Sequence, residues 1–209
     1  MAMAVQRLRP GTQVTIGPWI DNGFYYDFDT SAGEGGPLTE ADLPSIKKEM
    51  TRIIKARLPI TREEVSPAEA RARIDAAGET YKAEILDGIL ARDPAAPISL
   101  YHIGEPGTPG AWWDLCAGPH VPDTGGIDPS ALALESLAGA YWRGDEARPQ
   151  LQRVYGTAWE SKAQLKAYGA LKAEAARRDH RKLGAELDLF SICDETGPGL
   201  VLWHPAGAL

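Results

Sequence analysis

Ala111 to His120, Ala-Trp-Trp-Asp-Leu-Cys-Ala-Gly-Pro-His, holds a carboxylate (Asp114), a thiol (Cys116) and an imidazole (His120) within seven residues. Such groups can move protons, place a water or bind a metal. Trp112 and Leu115 read as the end of a strand. The Gly118-Pro119 turn can then fold His120 back towards Cys116, so that all three polar groups face one cleft. Cys-x-x-x-His alone is at most half of a metal site, which needs three or four ligands. On its own the motif reads as a small buried thiol and a loop histidine.

The elements around this stretch must position it. Residues 1–9 read as an amphipathic helix ending at Pro10-Gly11. Val14 to Ile20 is a strand, Asp21-Asn22-Gly23 a hairpin turn chosen for positive φ, and Phe24 to Asp29 the return strand. Alternation puts Phe24, Tyr26 and Phe28 on one face. The glycines of Ser31 to Pro37 lack the context of a phosphate loop. Thr39-Glu-Ala-Asp42 caps a helix whose stripe is Leu43, Ile46, Met50, Ile53 and Ile54. Pro59 to Val65 is a strand, and Ser66-Pro67 opens a helix closed by Gly78. Tyr81 to Leu90 suits a short helix. Ile98 to Ile103, Ser130 to Leu137 and Leu151 to Tyr155 are strands. Ser161 to Leu187 reads as one long helix. From Glu160 to Gly184 seven Lys/Arg stand against three Asp/Glu; such a face is usually solvated but can follow a phosphate backbone, with Arg177, Arg178, Arg181 and Lys182 the candidates. Phe190 to Leu209 reads as a first strand of a further domain.

The chain has 209 residues, 44% hydrophobic and 24% charged, which suits a globular protein with one good core. No apolar run approaches a membrane span, and the start has no secretory core. The two cysteines, Cys116 and Cys193, form no disulfide framework and point to a reducing cytoplasm. A net charge of −7 argues against a general polyanion binder.

Six stretches resemble threonyl-tRNA synthetase, a class II aminoacyl-tRNA synthetase family: Ile16-Gly-Pro-Trp-Ile-Asp-Asn-Gly-Phe-Tyr-Tyr-Asp27, Asp114-Leu-Cys-Ala-Gly-Pro-His-Val-Pro122, Ala138-Gly-Ala-Tyr-Trp-Arg-Gly-Asp145, Leu151-Gln-Arg-Val-Tyr-Gly-Thr-Ala-Trp159, Arg178-Asp-His-Arg-Lys-Leu-Gly184 and Gly197-Pro-Gly-Leu-Val-Leu-Trp-His204. They follow the family's order. The resemblance implies an α+β fold, a mostly antiparallel sheet packed with helices, then a long linker helix. It implies an editing domain over 1–158, N-terminally incomplete, a linker helix over 159–187, and the start of the catalytic core over 188–209. The implied partners are tRNA(Thr) and the serine or threonine esterified to it, and the full enzyme is expected to be a homodimer. ATP, Mg and Zn are expected only in the catalytic core beyond this segment.

The family's editing domain hydrolyses tRNA wrongly charged with serine, and its site positions match Tyr26, Lys82, Asp114, Cys116 and His120. A His-x-x-x-His pair that the family also uses falls upstream of Met1 in this alignment, and no metal is expected here. The chemistry is coherent. Rejecting an amino acid smaller by one methyl is worth only ~1–3 kcal/mol by binding, so a second, hydrolytic sieve is needed. His120 is the expected base. Cys116 would position the water, bind a metal or hydrogen-bond the substrate; a nucleophilic role is disfavoured because no dedicated base for it is evident. Asp114 would hold the α-ammonium or the serine hydroxyl, Lys82 would donate to the ester oxygen or the ribose, and Tyr26 would pack on the terminal adenosine. His102, His180 and His204 take structural readings. The alternatives are a freestanding trans-editing deacylase and a non-catalytic tRNA-binding module.

Overall fold

The computed structural model of the chain describes residues 1–192 and 200–208. Cys193 and the Gly197-Pro-Gly199 stretch lie outside the described residues. In chain order the elements are α1 (Ala2–Leu8), β1 (Gln13–Val14), β2 (Trp19–Ile20), β3 (Gly23–Asp29), α2 (Leu43–Lys55), β4 (Ile60–Val65), α3 (Pro67–Ala77), α4 (Thr80–Arg92), β5 (Ile98–Ile103), β6 (Trp112–Leu115), β7 (Leu132–Tyr141), β8 (Gln150–Ala158), α5 (Lys162–Arg177), α6 (His180–Glu186), β9 (Phe190–Ile192) and β10 (Val201–Trp203). They fall into two compact units, Met1–Lys162 and Ala163–Leu209. The class is α+β, with antiparallel sheets packed against helices.

The first unit has two sheets. One runs β1-β3-β8-β7 with β2 also on β3; the other runs β4-β5-β6, and every pairing is antiparallel. The stripe of α2 buries Ile46, Met50 and Ile53, which join Met3 and Val5 of α1 against Val14, Phe28, Leu132 and Val154 of the larger sheet. Full burial of a side chain such as Phe28 is worth roughly 1.5–3 kcal/mol. A second cluster sets Ala70, Ile74 and Leu86 of α3 and α4 against Ile98, with Val65, Trp113 and Leu115 around it.

Local signals hold where they are strongest. Thr39 and Asp42 form a capping box, Ser66 accepts from the Glu69 N–H, and Gly78 closes α3 with φ +69°. Three expectations need correction. The single strand from Val14 to Ile20 is two short pieces, because Pro18 has no N–H to give; residues 15–18 still bond to β3 through Thr15, Ile16 and Pro18. The hairpin closes with Ile20 opposite Gly23, but neither Asn22 nor Gly23 has a positive φ. Gly23 is required for another reason: a Cβ there would lie 2.1 Å from the Gly156 carbonyl oxygen on β8. The third concerns the long helix.

In the second unit the expected single helix is a pair, α5 and α6. The helix stops at Arg177, and the Asp179 side chain accepts from the Arg181 N–H, capping a new helix. A side chain that competes for backbone N–H groups favours such a restart. Beyond it, β9 and β10 pair antiparallel, Phe190 opposite Trp203.

Candidate active site

β6 positions Asp114. In the β5–β6 register Asp114 stands opposite Tyr101, so both point to one face, while His102 and Trp113 point to the other. One more ladder bond follows, from the Cys116 N–H to the Ser99 carbonyl, and the Ser99 hydroxyl donates to the Cys116 carbonyl. The chain then turns back through Gly118-Pro119, a cis peptide. Gly118 has φ +74°, and a Cβ there would come within 2.0 Å of the Tyr101 hydroxyl oxygen, so only glycine fits. The returning His120 ring stands edge-on to Tyr101 at 4.5 Å, and its Nε2 lies 3.2 Å from Cys116 Sγ. The Gly118 N–H also points at this sulfur, at 3.3 Å.

A second group converges on Asp114 from remote elements. Lys82, near the start of α4, places Nζ 2.5 Å from Asp114 Oδ1. Tyr26, on β3, donates its hydroxyl to Asp114 Oδ2 at 2.6 Å, and Lys82 Nζ is 3.2 Å from the same hydroxyl. The Lys82 side chain is only 4% exposed and that of Asp114 13%, so this is a largely dry ion pair with a third hydrogen-bonding member. Both Asp114 oxygens are engaged, making it the hub that orients Lys82 and Tyr26. Tyr26 also stacks on Phe28 at 5.2 Å, so it serves the core as well.

The electrostatics tie the two groups together. Burial lowers the His120 pKa below the usual imidazole value, and the Asp114 charge opposes that shift only in part. His120 is therefore neutral near pH 7, the form a base requires. Burial, then the Asp114 charge and hydrogen bond, raise the Tyr26 hydroxyl well above its ordinary range, keeping it a donor. The Cys116–His120 contact places an imidazole beside the thiol.

Three residues of this region escaped the sequence reading. Glu79 accepts from the Val14 N–H at 3.0 Å and from Gln6 Nε2 at 2.6 Å, and Gln6 in turn accepts from Trp112 Nε1. Burial pushes the Glu79 carboxyl up, against the pull of Lys82. Tyr101 walls the imidazole. Glu79 sits between two helices with no local motif, and Tyr101 becomes visible only once the strand register is known.

The other histidines take structural partners or are exposed. His102 is buried and bonded to Glu63 at 2.7 Å. His180 is exposed on α6. His204 links the Ser191 hydroxyl at 2.9 Å and Asp188 at 2.7 Å, which staples β10 to β9. Among the described residues no three His, Cys, Asp or Glu side chains gather as a metal-binding set. The four cationic candidates lie on α5, α6 and their junction, all exposed. Arg177 and Arg178 both pair with Glu174, Arg181 with Asp179, and Lys182 with Glu186. No helix of the described residues is long and apolar enough to cross a membrane.

Comparison with known proteins follows the same residues. Residues 98–155, which run from β5 through most of β8, match the family described as the threonyl and alanyl tRNA synthetase second additional domain. The whole chain is 63% identical over 209 residues to the chloroplastic/mitochondrial threonine–tRNA ligase 2 of Arabidopsis thaliana, covering 30% of that protein. It is 59% identical to the threonine–tRNA ligase of Synechococcus elongatus and 57% identical to that of a Synechocystis species, each over 209 residues and 32% of the relative. The chain thus spans about a third of the length of the curated relatives it matches.

Proposed function

The kinship of this chain is with the threonine–tRNA ligase family, one segment of which it matches from end to end, and from that premise we propose that its first unit is an editing hydrolase module. Its substrate is tRNA(Thr) carrying serine by mistake, and its reaction is hydrolysis of the seryl ester. The observation that carries the proposal is the site itself: a neutral imidazole 3.2 Å from a thiol, coupled to a buried Lys82–Asp114–Tyr26 cluster. Threonine–tRNA ligation is proposed for the full protein of which this is a segment, with tRNA as the partner and a reducing compartment such as the cytoplasm as the setting.

His120 takes a proton from an attacking water, which Cys116 Sγ helps to place. Lys82, held by Asp114, donates to the oxygen on which charge develops, in a site dry enough to strengthen that contact. Tyr26 orients the terminal adenosine through its hydroxyl or its ring. The 3.2 Å Sγ–Nε2 contact supports a second reading. The Cys116 thiol gives its proton to His120, the sulfur bonds to the ester carbonyl, and the tRNA 3′-oxygen leaves with that proton. Water then hydrolyses the thioester.

Deacylation of seryl-tRNA and threonyl-tRNA tests the proposal. The assay compares residues 1–209 with a chain extended upstream by a helical turn bearing the His-x-x-x-His pair. The extended chain should clear seryl-tRNA selectively and faster by orders of magnitude, because groups acting on one water do not contribute independently. His120→Ala and Cys116→Ala should each remove most of that rate without unfolding the protein. If the shorter chain is equally fast, the freestanding deacylase replaces this reading. If neither hydrolyses seryl-tRNA, the module binds without catalysis. A quenched reaction separates the two chemistries, since only the second leaves a seryl thioester on Cys116.

A further inference from the structure

On the opposite side of β3 from Tyr26 lies a cavity of about 550 Å³, wholly within the first unit. Its size suits a nucleotide rather than a small inorganic ion. Three guanidinium groups line it, from Arg92, Arg143 and Arg153, against one carboxylate, Asp27. Arg153 is fully spoken for by a two-pronged pair with Asp27, both contacts 2.7 Å. Arg92 and Arg143 are different. Each has a backbone carbonyl as its hydrogen-bond partner, Gly88 for Arg92 and Glu84 for Arg143, both at 3.1 Å. Among the described residues neither makes an ion pair. The cavity therefore holds two guanidiniums outside any ion pair; the Glu84 carboxylate acts on Arg143 but is itself paired with Arg148.

Arg143 is also held in an uncommon conformation. Its φ is +57°, in the left-handed region that non-glycine residues rarely occupy, and the following Gly144 is at +73°. That backbone turns the guanidinium over the Trp142 ring, 5.4 Å from its centroid. Trp142 is itself immobilised: it is buried, its indole N–H donates to Glu84 at 3.1 Å, and Tyr81 packs edge-on at 5.1 Å. Beside it the half-exposed Tyr141 ring completes an aromatic wall. A phosphate flanked by two guanidiniums outside any ion pair, with an aromatic surface for its base, is the chemistry of single-stranded nucleic-acid binding.

The placement fits one strand serving both sites. α4 carries Lys82 into the hydrolytic site and lines the cavity with Gly88 and Arg92. At 1.5 Å per residue these lie ~9 and ~15 Å further along the axis, a span that a few nucleotides of single strand can cover. We infer that the cavity binds a backbone phosphate and its nucleotide upstream of the esterified terminus of the RNA. Arg92 and Arg143 hold the phosphate, and the exposed Tyr141 ring supports the base, with the buried Trp142 fixing the wall behind it. This rests on the proposed function, whose substrate is an RNA 3′ end.

The test uses a fluorescent RNA hairpin with a single-stranded 3′ end, titrated with the chain across a salt series. A phosphate-free seryl-adenosine analogue reports the hydrolytic site separately. Arg92→Ala combined with Arg143→Gln should weaken RNA binding and reduce the slope of log K against log salt by about 1.4, ~0.7 for each lost contact on a single strand. Binding of the phosphate-free analogue should be unchanged. Lysine at both positions should restore most of the slope. If the double substitution unfolds the chain, Arg92→Glu alone, on the exposed last turn of α4, must still lower the slope. An unaltered slope overturns the inference, as does protection of the cavity by inorganic phosphate with no effect on RNA binding. If the analogue fails to bind but the slope still falls, the editing reading has failed and the cavity stands.

Discussion

His120 shows how partial desolvation sets chemistry even for a side chain that stays exposed. Because its pKa is depressed, the imidazole stays neutral to a lower pH than a free histidine would. Hydrolysis should therefore hold as pH falls through the usual histidine value of ~6.5 and decline only below it. A pH profile whose acid limb lies at or above that value would mean the base is a different group. Glu79 behaves oppositely. Its carboxyl is raised, so its favourable contribution to stability is present below the unfolded-state value and is lost as pH rises through the folded one. Glu79→Gln cannot ionise and escapes that loss. Thermal unfolding should show the variant gaining on the parent as pH rises through the folded-state value of Glu79; a constant difference would dissociate Glu79 from the titration. The turn that brings His120 back to Cys116 was legible in the sequence because it is local. Lys82 and Tyr26 were not legible from pattern: they stand 32 and 88 residues from Asp114, and only the family resemblance pointed to them.

Elements were legible wherever a local signal defined their ends. The capping box before α2, Ser66 and Gly78 around α3, and the apolar stripe of α2 all stand as read. The break between α5 and α6 was missed because the composition stays helical across it; Asp179 alone decides the restart. Replacing it with alanine should cost ~0.5–2 kcal/mol of local helix stability. Hydrogen exchange would show this as faster exchange at the start of α6, and unchanged exchange would deny Asp179 its capping role. Elsewhere a charge cluster binds α3 to the smaller sheet: Glu63 on β4 accepts from Arg73 at 2.7 and 2.9 Å and contacts His102 on β5 at 2.7 Å. Arg73 and His102 hold the Glu63 carboxyl down at about 2. That contribution is present above the unfolded value of ~4.5 and is lost as pH falls towards 2. Glu63→Gln should thus be less stable than the parent near neutrality, by a small amount because the pair is partly exposed. The gap should close in acid, as chemical denaturation at several pH values can show.

At the scale of the molecule, two sets of cations compete for the role of RNA contact. Arg177, Arg178, Arg181 and Lys182 share Glu174, Asp179 and Glu186, so four positive charges meet three negative ones. Arg92 and Arg143 form no ion pair among the described residues, although the Glu84 carboxylate, paired with Arg148, acts on Arg143. Neutralising the first four should change the salt dependence of RNA binding less than neutralising the latter two; the reverse order would make the helix pair the principal contact. The overall class came with the family resemblance, whereas the division into two antiparallel sheets depends on pairings that sequence spacing does not encode. Consecutive residues of β3 serve opposite sides of the larger sheet, Tyr26 towards Asp114 and Asp27 towards Arg153. The strand therefore constrains how the protein can change by inheritance. Point substitutions along it can alter the Tyr26 side or the Asp27 side one at a time. Loss or gain of a single codon there would exchange the two faces and spoil both together, so β3 tolerates spelling changes but no change of length within the strand.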